Sequence, residues 1–239
     1  MSAQSAEVGD LARDRELLDR KGTAERVATI LRDRLTEGYF PPGTRLSEES
    51  IGKTLGVSRN TLREAFRLLA HERLVEHELN RGVFVRRLCP EDVVALFHFR
   101  RIIECAALRE LADAPESAVR AMREAVEQSE KAAKEGRWAD AGTANMRFHQ
   151  ALVGLAGSAY LEQSMRQAMA ELRLVFHVAR HPRELHEPYA ARNRELLEAV
   201  ETRDSAGAEQ LLTSYLADAQ EQLLYAYEEA ARSADSARR

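Results

Sequence analysis

The chain has 239 residues, of which 44% are apolar, and a formal net charge of −4. A chain of this length and composition can build ordinary hydrophobic cores in one large domain or two small ones, which excludes a natively unfolded protein. Residues 1–19 are charged and lack an apolar signal core, and no apolar run approaches the roughly 18 residues of a membrane span. We therefore expect a cytoplasmic protein without membrane contact, with residues 1–19 as a mobile arm.

Charge is distributed unevenly along the chain. Residues 20–88 hold 14 Lys and Arg against 9 Asp and Glu, a net charge of +5, whereas residues 89–239 hold 19 against 25. A basic segment in an otherwise acidic protein indicates a region that approaches a polyanion. A modest excess of this kind can also be a solvated face, so the charge alone does not decide the function.

Three helices are predicted in the basic segment. The first covers about 22–38, where apolar residues recur at helical spacing. Ser47 is predicted to cap a short second helix that ends at Gly56, and Ser58 to cap a third helix over about 59–72. The third helix has one apolar face and one arginine-rich face, so it can pack on its neighbours while exposing basic side chains.

A β-hairpin is predicted directly after the third helix. Apolar and charged residues alternate over 75–79, the pattern breaks over 80–82, and an apolar run follows over 83–85, which places the turn at Gly82. A helix, a short helix, a tight turn, an amphipathic helix and a hairpin are the elements of a winged helix-turn-helix domain. We predict this domain for residues 20–88.

From residue 89 onward every segment has the period of a helix. Six helices are predicted, over about 90–112, 116–135, 138–156, 159–180, 183–203 and 205–232. Trp138, at the start of one of them, is interpreted as a core residue. The segment shows no strand signal and no internal repeat.

The polar face of the third helix is the candidate nucleic-acid surface. Arg59 and Arg63 lie four residues apart on that face, and Ser58 and Thr61 supply hydroxyls near the helix N-terminus. An α-helix fits the major groove of DNA, and the free backbone N–H groups at its start attract phosphate. A plain solvated face is the alternative, but the adjoining hairpin with its basic tip and the local positive charge favour DNA binding.

The residues that form this layout resemble the DNA-binding domain of GntR-family bacterial transcription regulators, in the stretch PPGTRLSEESIGKTLGVSRNTLREAFRLLAHERLVEHELNRGVFV. The resemblance implies that seven residues contact operator DNA: Ser58, Arg59, Asn60, Thr61, Arg63, Arg81 and Gly82. Of these, Arg81 and Gly82 are implied to enter the minor groove. The family often has Thr-Pro where Asn60-Thr61 stand and a basic residue where Glu49 stands. One base contact and one phosphate contact are therefore expected to differ.

The helical remainder resembles the FCD-type effector domain of the fatty-acid-regulator (FadR) branch of the same family. The resemblance rests on the phrases FRRIIE, NMRFHQALVGLAG and NRELLEAVETRDSAGAEQLL. It implies an antiparallel helical bundle over 89–234 that dimerises, encloses a small-molecule pocket and changes the spacing of two DNA-binding heads. The predicted fold class is thus mainly α, with an N-terminal winged helix-turn-helix domain, a C-terminal all-α antiparallel helical bundle and a tail over 235–239.

Many FCD domains hold a metal on an Asp or Asn, a His four residues later and two further His. The corresponding places in this chain are Asn145, His149, Asn193 and Tyr215. Amide and phenol oxygens are poor ligands for zinc and similar ions, and His149 is the only imidazole retained. We expect no metal and no cofactor, and interpret the four residues as a hydrogen-bonding wall for an organic effector. The alternative keeps zinc or a similar divalent metal on His177, His181 or His186, which are otherwise interpreted as surface or capping residues.

Arg100 is the fifth candidate for the effector site. Its guanidinium could bind a carboxylate of the effector, or it could pair with Glu104 one helical turn later. The resemblance and the residues leave both possibilities open.

The predicted function is that of a DNA-binding transcriptional regulator, in the first place a repressor, and not an enzyme. A homodimer is expected to bind a near-palindromic operator, with an affinity controlled by a small organic effector, most simply a carboxylate. One alternative is an architectural DNA-binding dimer without an effector. The other is a helical metalloenzyme with a nucleic-acid-binding appendage, which would need a carboxylate or His cluster with an open metal position.

Overall fold

A computed structural model describes residues 22–36, 39–176 and 182–236. These residues form two compact units, one ending at Arg87 and one beginning at Leu88. The structure confirms the predicted fold class, because the described residues are mainly helical and include one small three-stranded sheet. Within the described ranges no helix is both long and apolar enough to cross a membrane. The predicted arm, 1–19, lies outside the described residues.

Helices and short strands alternate in the N-terminal unit. The elements are α1 (22–36), β1 (Arg45–Leu46), α2 (Glu48–Leu55), α3 (Arg59–His71), β2 (Val75–Glu78) and β3 (Gly82–Val85). The sheet is antiparallel with the strand order β1-β3-β2. Both predicted caps are confirmed, since the Ser47 side chain accepts a hydrogen bond from the Ser50 backbone N–H and the Ser58 side chain accepts one from Thr61.

The position of α3 is set by its apolar face and by a close turn before it. Leu62, Phe66 and Leu69 of α3 are fully buried. Gly52 of α2 faces the turn, where an added Cβ would lie 3.3 Å from the Val57 carbonyl oxygen, so a larger residue would require a small shift of the turn. The face of α3 opposite the buried residues is left exposed to solvent.

The hairpin differs from the prediction at its turn. β2 ends at Glu78, Leu79 is 88% exposed, and Asn80 takes the left-handed conformation with φ of +60°. Gly82, predicted as the turn residue, instead opens β3. The strand β1 was not predicted, because a strand of only two residues cannot show an alternating pattern.

The C-terminal unit consists of helices and two short 3-10 turns. Its helices are α4 (Pro90–Arg109), α5 (Glu116–Lys134), α6 (Trp138–Val153), α7 (Ala159–Val175), α8 (Pro182–Glu201) and α9 (Ser205–Ser236). All six correspond to predicted helices. The interpretation of Trp138 as a core residue is wrong: it is half-buried in the first turn of α6, where the Arg183 guanidinium lies 5.7 Å from its ring centre.

The first and last helices of this unit pack side by side in opposite directions. Arg109, at the end of α4, pairs with Glu209 near the start of α9 at 2.5 Å. Beyond the other end of α4, the Tyr227 hydroxyl of α9 donates a hydrogen bond of 3.0 Å to the Leu88 carbonyl. The contact attaches α9 to the first residue of the helical unit.

Candidate functional site

The N-terminal end of α3 exposes most of the predicted DNA-contacting side chains. Arg59, Asn60 and Arg63 are exposed, and Thr61 is partly exposed. The Ser58 hydroxyl lies 2.8 Å from the Thr61 hydroxyl and also caps the helix, so these two side chains are oriented before any ligand arrives. The arrangement offers guanidinium, amide and hydroxyl groups at a helix N-terminus, the chemistry used to bind base edges and phosphates.

Arg63 has an acidic neighbour, Glu48, that was not predicted from the sequence. Its Nε lies 3.2 Å from both carboxylate oxygens of Glu48, the first residue of α2. The Arg63 side chain is 65% exposed, and an ion pair so close to solvent contributes little to stability. Glu48 therefore orients the guanidinium in the free protein without preventing its transfer to a DNA partner.

The two remaining predicted DNA residues lie at the tip of the hairpin, Arg81 in the turn and Gly82 at the start of β3. Arg81 pairs with Glu78 across the turn, and its guanidinium lies 5.4 Å from the ring centre of Phe84. Gly82 has φ of +112°, and an added Cβ would lie 3.3 Å from Nε of Arg45. A larger residue at Gly82 would be strained whatever space it found.

A small cavity lies inside the helical unit, between α4, α6, α7, α8 and α9. We call it the cavity; its lining residues are Phe97, Arg100, Asn145, Met146, His149, Met169, Leu172, Phe176, Leu185, His186, Tyr189, Tyr215, Ala219, Gln222 and Leu223. The space open to the centre of a water molecule is about 30 Å³. Since one water needs about 10–15 Å³ by this measure, the cavity holds two or three waters or a compact ligand.

A buried charge cluster forms one side of the cavity. Arg100 donates from Nε to Glu104 at 2.8 Å, and His149 donates from Nδ1 to the other oxygen of Glu104 at 2.7 Å. All three side chains are at most 3% exposed. Of the two roles considered for Arg100, the structure shows the pairing with Glu104. The contact between Glu104 and His149 leaves no local signal in the sequence, because 45 residues separate them.

Burial and charge fix the protonation of this cluster. Burial alone would raise the pKa of Glu104, but Arg100 and His149 outweigh that effect and leave the pKa below the ordinary glutamate value. Burial lowers the pKa of His149, and the Arg100 charge lowers it further against the opposing effect of Glu104. At neutral pH the cluster therefore consists of a carboxylate, a guanidinium and a neutral imidazole.

Asn145 is the centre of a second polar group. Its Oδ1 accepts a hydrogen bond of 2.6 Å from Asn193 Nδ2 and one of 2.8 Å from the Tyr215 hydroxyl. The structure thus brings together the residues predicted as a hydrogen-bonding wall, with one difference. Asn145, His149 and Tyr215 line the cavity, whereas Asn193 does not and contacts Asn145 from outside it.

Three buried polar atoms among these residues lack a hydrogen-bond partner in the protein. They are Nη2 of Arg100, Nε2 of His149 and Oδ1 of Asn193. Leaving such atoms unsatisfied costs about 1–3 kcal/mol each, so buried groups of this kind normally meet a ligand or a water. Two of the three belong to side chains that line the cavity, which marks it as a candidate binding site.

The donor set does not suit a transition metal. Both hydrogen bonds to Asn145 Oδ1 occupy the oxygen that would coordinate the ion, and the Tyr215 hydroxyl keeps its proton because burial, the largest cause, raises its pKa. A cationic guanidinium also lies beside His149. In the described ranges no three His, Cys, Asp or Glu side chains form a metal-binding cluster.

The prediction for His186 is wrong. We expected a surface or capping residue, but His186 is 7% exposed and lines the cavity. Burial, and then the Arg173 charge, lower its pKa to about 4, so the ring is neutral at pH 7. The spacing of Leu185, His186 and Tyr189 along α8 was the available signal, since it matches a buried helical face. His177 and His181 lie outside the described residues.

Both units of the chain match models of known protein families. The model of the FCD domain matches residues 95–218, and the model of the bacterial regulatory proteins of the gntR family matches residues 23–85. A crystal structure described as a GntR transcriptional regulator from Rhodococcus sp. RHA1 is 44% identical, with a TM-score of 0.80, over 85% of this chain and 98% of that one.

Two curated relatives are also similar to this chain. The HTH-type transcriptional repressor RspR of Escherichia coli (strain K12) is 25% identical over 82% of this chain and 87% of its own length. The HTH-type transcriptional regulator YdhC of Bacillus subtilis (strain 168) is 30% identical over 55% of this chain and 60% of its own length.

Proposed function

The chain belongs to the gntR family of bacterial transcription regulators with an FCD domain, and from this premise we propose that a small organic effector in the cavity controls its affinity for an operator. The seven predicted DNA residues on α3 and the hairpin turn are proposed to contact that operator. The protein acts in the cytoplasm as a binding protein and not as a catalyst.

One observation carries the proposal of an effector. The cavity is lined by Arg100 and His149, whose outer nitrogens are buried and have no partner in the protein. A protein that only bent or bridged DNA would be stabilised by filling this space with apolar side chains, because unsatisfied polar atoms are costly. A ligand that supplies the missing hydrogen bonds recovers that free energy on binding.

The test is a thermal-shift screen of compact polar molecules, with and without a chelator. We expect at least one chemical class to raise the melting temperature, by an amount that grows with the logarithm of ligand concentration. We also expect a chelator to leave the melting temperature unchanged, since the donor set does not suit a metal. If no class stabilised the protein, the architectural DNA-binding dimer would become the better description.

Matched variants locate the binding site. Ala219→Leu adds three carbons to a residue that lines the cavity and should abolish the ligand-induced shift, whereas Ala121→Leu, on the exposed side of α5, should keep it. The double change Asn193→His plus Tyr215→His is a positive control for the chelator arm. It supplies two imidazoles beside His149 and should make the melting temperature depend on metal.

We also propose that two copies of the chain associate through the exposed sides of α4 and α9. Four large apolar residues on these helices are 37–56% exposed: Val94 and Ile102 on α4, and Leu211 and Tyr225 on α9. A single recognition helix reads too few base pairs for specific binding, so a symmetric dimer on two matching half-sites is the expected solution.

Analytical ultracentrifugation tests the dimer. The protein is expected to sediment as a dimer at micromolar concentration, and Ile102→Asp is expected to shift it towards monomer by placing a charge in the interface. Tyr160→Asp is the control, because Tyr160 is 86% exposed on α7, away from this surface. A wild-type monomer would contradict the proposal, and an unchanged Ile102→Asp dimer would exclude this surface.

A further inference from the structure

The charges around the cavity are already balanced. Arg100 is the one side chain with a full charge among the described residues that line it, and Glu104 pairs with that guanidinium at 2.8 Å. The two imidazoles that line the cavity are neutral, and its tyrosines keep their protons. Among the residues that the structure describes, Arg100 and Glu104 therefore give the site a net charge of zero.

Two further arginines lie just behind the cavity wall. Arg192 lies 5.3 Å from the ring centre of Tyr215 and pairs with Asp218 at 2.8 Å. Arg173 lies 5.7 Å from the ring centre of Phe176, donates to the Ala139 carbonyl and is within electrostatic reach of Asp140. The Arg192 charge is therefore offset by Asp218, whereas the Arg173 charge acts on His186, whose pKa it lowers.

The unpartnered atoms of the cavity are of two opposite kinds. Nη2 of Arg100 is a donor that requires an acceptor. His149 uses its Nδ1–H on Glu104, so Nε2 presents a lone pair and requires a donor. The site thus calls for a ligand that offers both an acceptor and a donor.

We propose that the effector is a compact uncharged molecule with a carbonyl-type oxygen beside an N–H donor, such as a primary amide or a lactam. The oxygen accepts from Arg100 Nη2–H and the N–H donates to His149 Nε2. The inference rests on the proposed function, because it assumes that the cavity is the effector site.

A carboxylate meets these requirements less well than an amide. It would bring a buried negative charge without a compensating cation, because Arg100 is already paired with Glu104. Burying an unpaired charge is costly. A deprotonated carboxylate also has no donor for His149 Nε2. The proposed class therefore differs from the carboxylate expected from the sequence, which considered Arg100 without its partner Glu104.

The remaining lining suits a small neutral ligand. Apart from its polar residues, the cavity presents aliphatic and aromatic side chains, including Met146 and Met169. Methionines adapt their shape at low cost and can make room for a compact ligand. Larger ligands would need a rearrangement of the helices.

Isosteric ligand pairs test the inference on the unmodified protein. We would measure dissociation constants by calorimetry for propionamide against propionate and lactamide against lactate, with 2-pyrrolidinone as a lactam. Each amide is expected to bind at least about tenfold more tightly than its carboxylate, the ratio that follows when one ligand must bury an unpaired charge. N,N-dimethylpropionamide, which keeps the oxygen and lacks the N–H donor, is expected to bind weakly.

The outcomes separate this inference from the proposed function. Equal or tighter binding of the carboxylates would overturn the neutral class and leave an effector site in place. If the amides fail while other compounds of the thermal-shift screen bind, the class is again wrong. If nothing binds, the proposed effector function fails as well.

Glu104→Gln supplies an internal check. Removing the balancing carboxylate leaves Arg100 with a net positive charge, so the preference should shift towards the carboxylates by about tenfold or more. An unchanged preference in a folded variant would contradict the charge argument. If this variant does not fold, the isosteric pairs on the unmodified protein decide alone.

Discussion

Replacing Glu104 with alanine is expected to lower the free energy of unfolding by about 3–5 kcal/mol, the loss typical of breaking a buried ion pair from one side. Glu104 is fully buried and holds both Arg100 and His149. Without it, a guanidinium that is 3% exposed has no carboxylate partner, and a small void remains beside it. Denaturant unfolding of the full chain, followed by far-UV circular dichroism at one fixed protein concentration, measures the change.

Glu209→Ala is the matched control for Glu104→Ala. Glu209 also pairs with an arginine of α4, Arg109, but that pair lies in solvent, so its loss should change stability little. If both variants lost the same free energy of unfolding, water would already reach Glu104. In that case the charge balance of the cavity would have to be reconsidered.

Arg63→Ala is expected to weaken binding to the operator by about 1–3 kcal/mol, roughly 5- to 150-fold, while binding to random DNA changes far less. Arg63 is exposed on α3, and Glu48 orients its guanidinium in the free protein. A base contact made by this group exists only on the operator, where the right base is present. Its loss therefore weakens binding to the operator and leaves binding to random DNA nearly unchanged. Fluorescence anisotropy at one salt concentration, with a site selected by the unmodified protein from a random pool, measures both affinities.

Arg67→Ala is the control for Arg63→Ala. Arg67 lies one turn further along α3, is exposed and pairs with Glu64 of the same helix. Its removal takes away the same charge, so any general electrostatic loss should appear in both variants. Equal weakening on operator and random DNA by Arg63→Ala would make Arg63 a phosphate contact instead of a base contact.

The DNA-binding unit was predictable to a large extent because its signals are local. Ser47 and Ser58 mark helix starts through bonds to N–H groups three residues away, so sequence spacing alone identifies them. The errors in this unit, the two-residue strand β1 and the hairpin turn at Asn80, concern elements too short for a periodic pattern. Glu48 was missed as a partner of Arg63 because the pair joins two different helices.

The cavity was predictable only in part because its contacts join distant segments. Asn145, His149 and Tyr215 were identified through the family resemblance. The link from Glu104 to His149 depends on how α4 packs on α6, which no local spacing reveals. The balanced charge of the cavity, and with it the preferred ligand class, therefore became visible only in the three-dimensional structure.

The bond from Tyr227 to Leu88 gives α9 a mechanical role. Tyr215 lines the cavity and Tyr227 holds the Leu88 carbonyl, and the twelve residues from one to the other span about 18 Å of helix. No glycine or proline interrupts the helix between them, so it resists bending over that length. We expect a displacement of Tyr215 to be transmitted along this helix to the backbone at Leu88, where the helical unit begins.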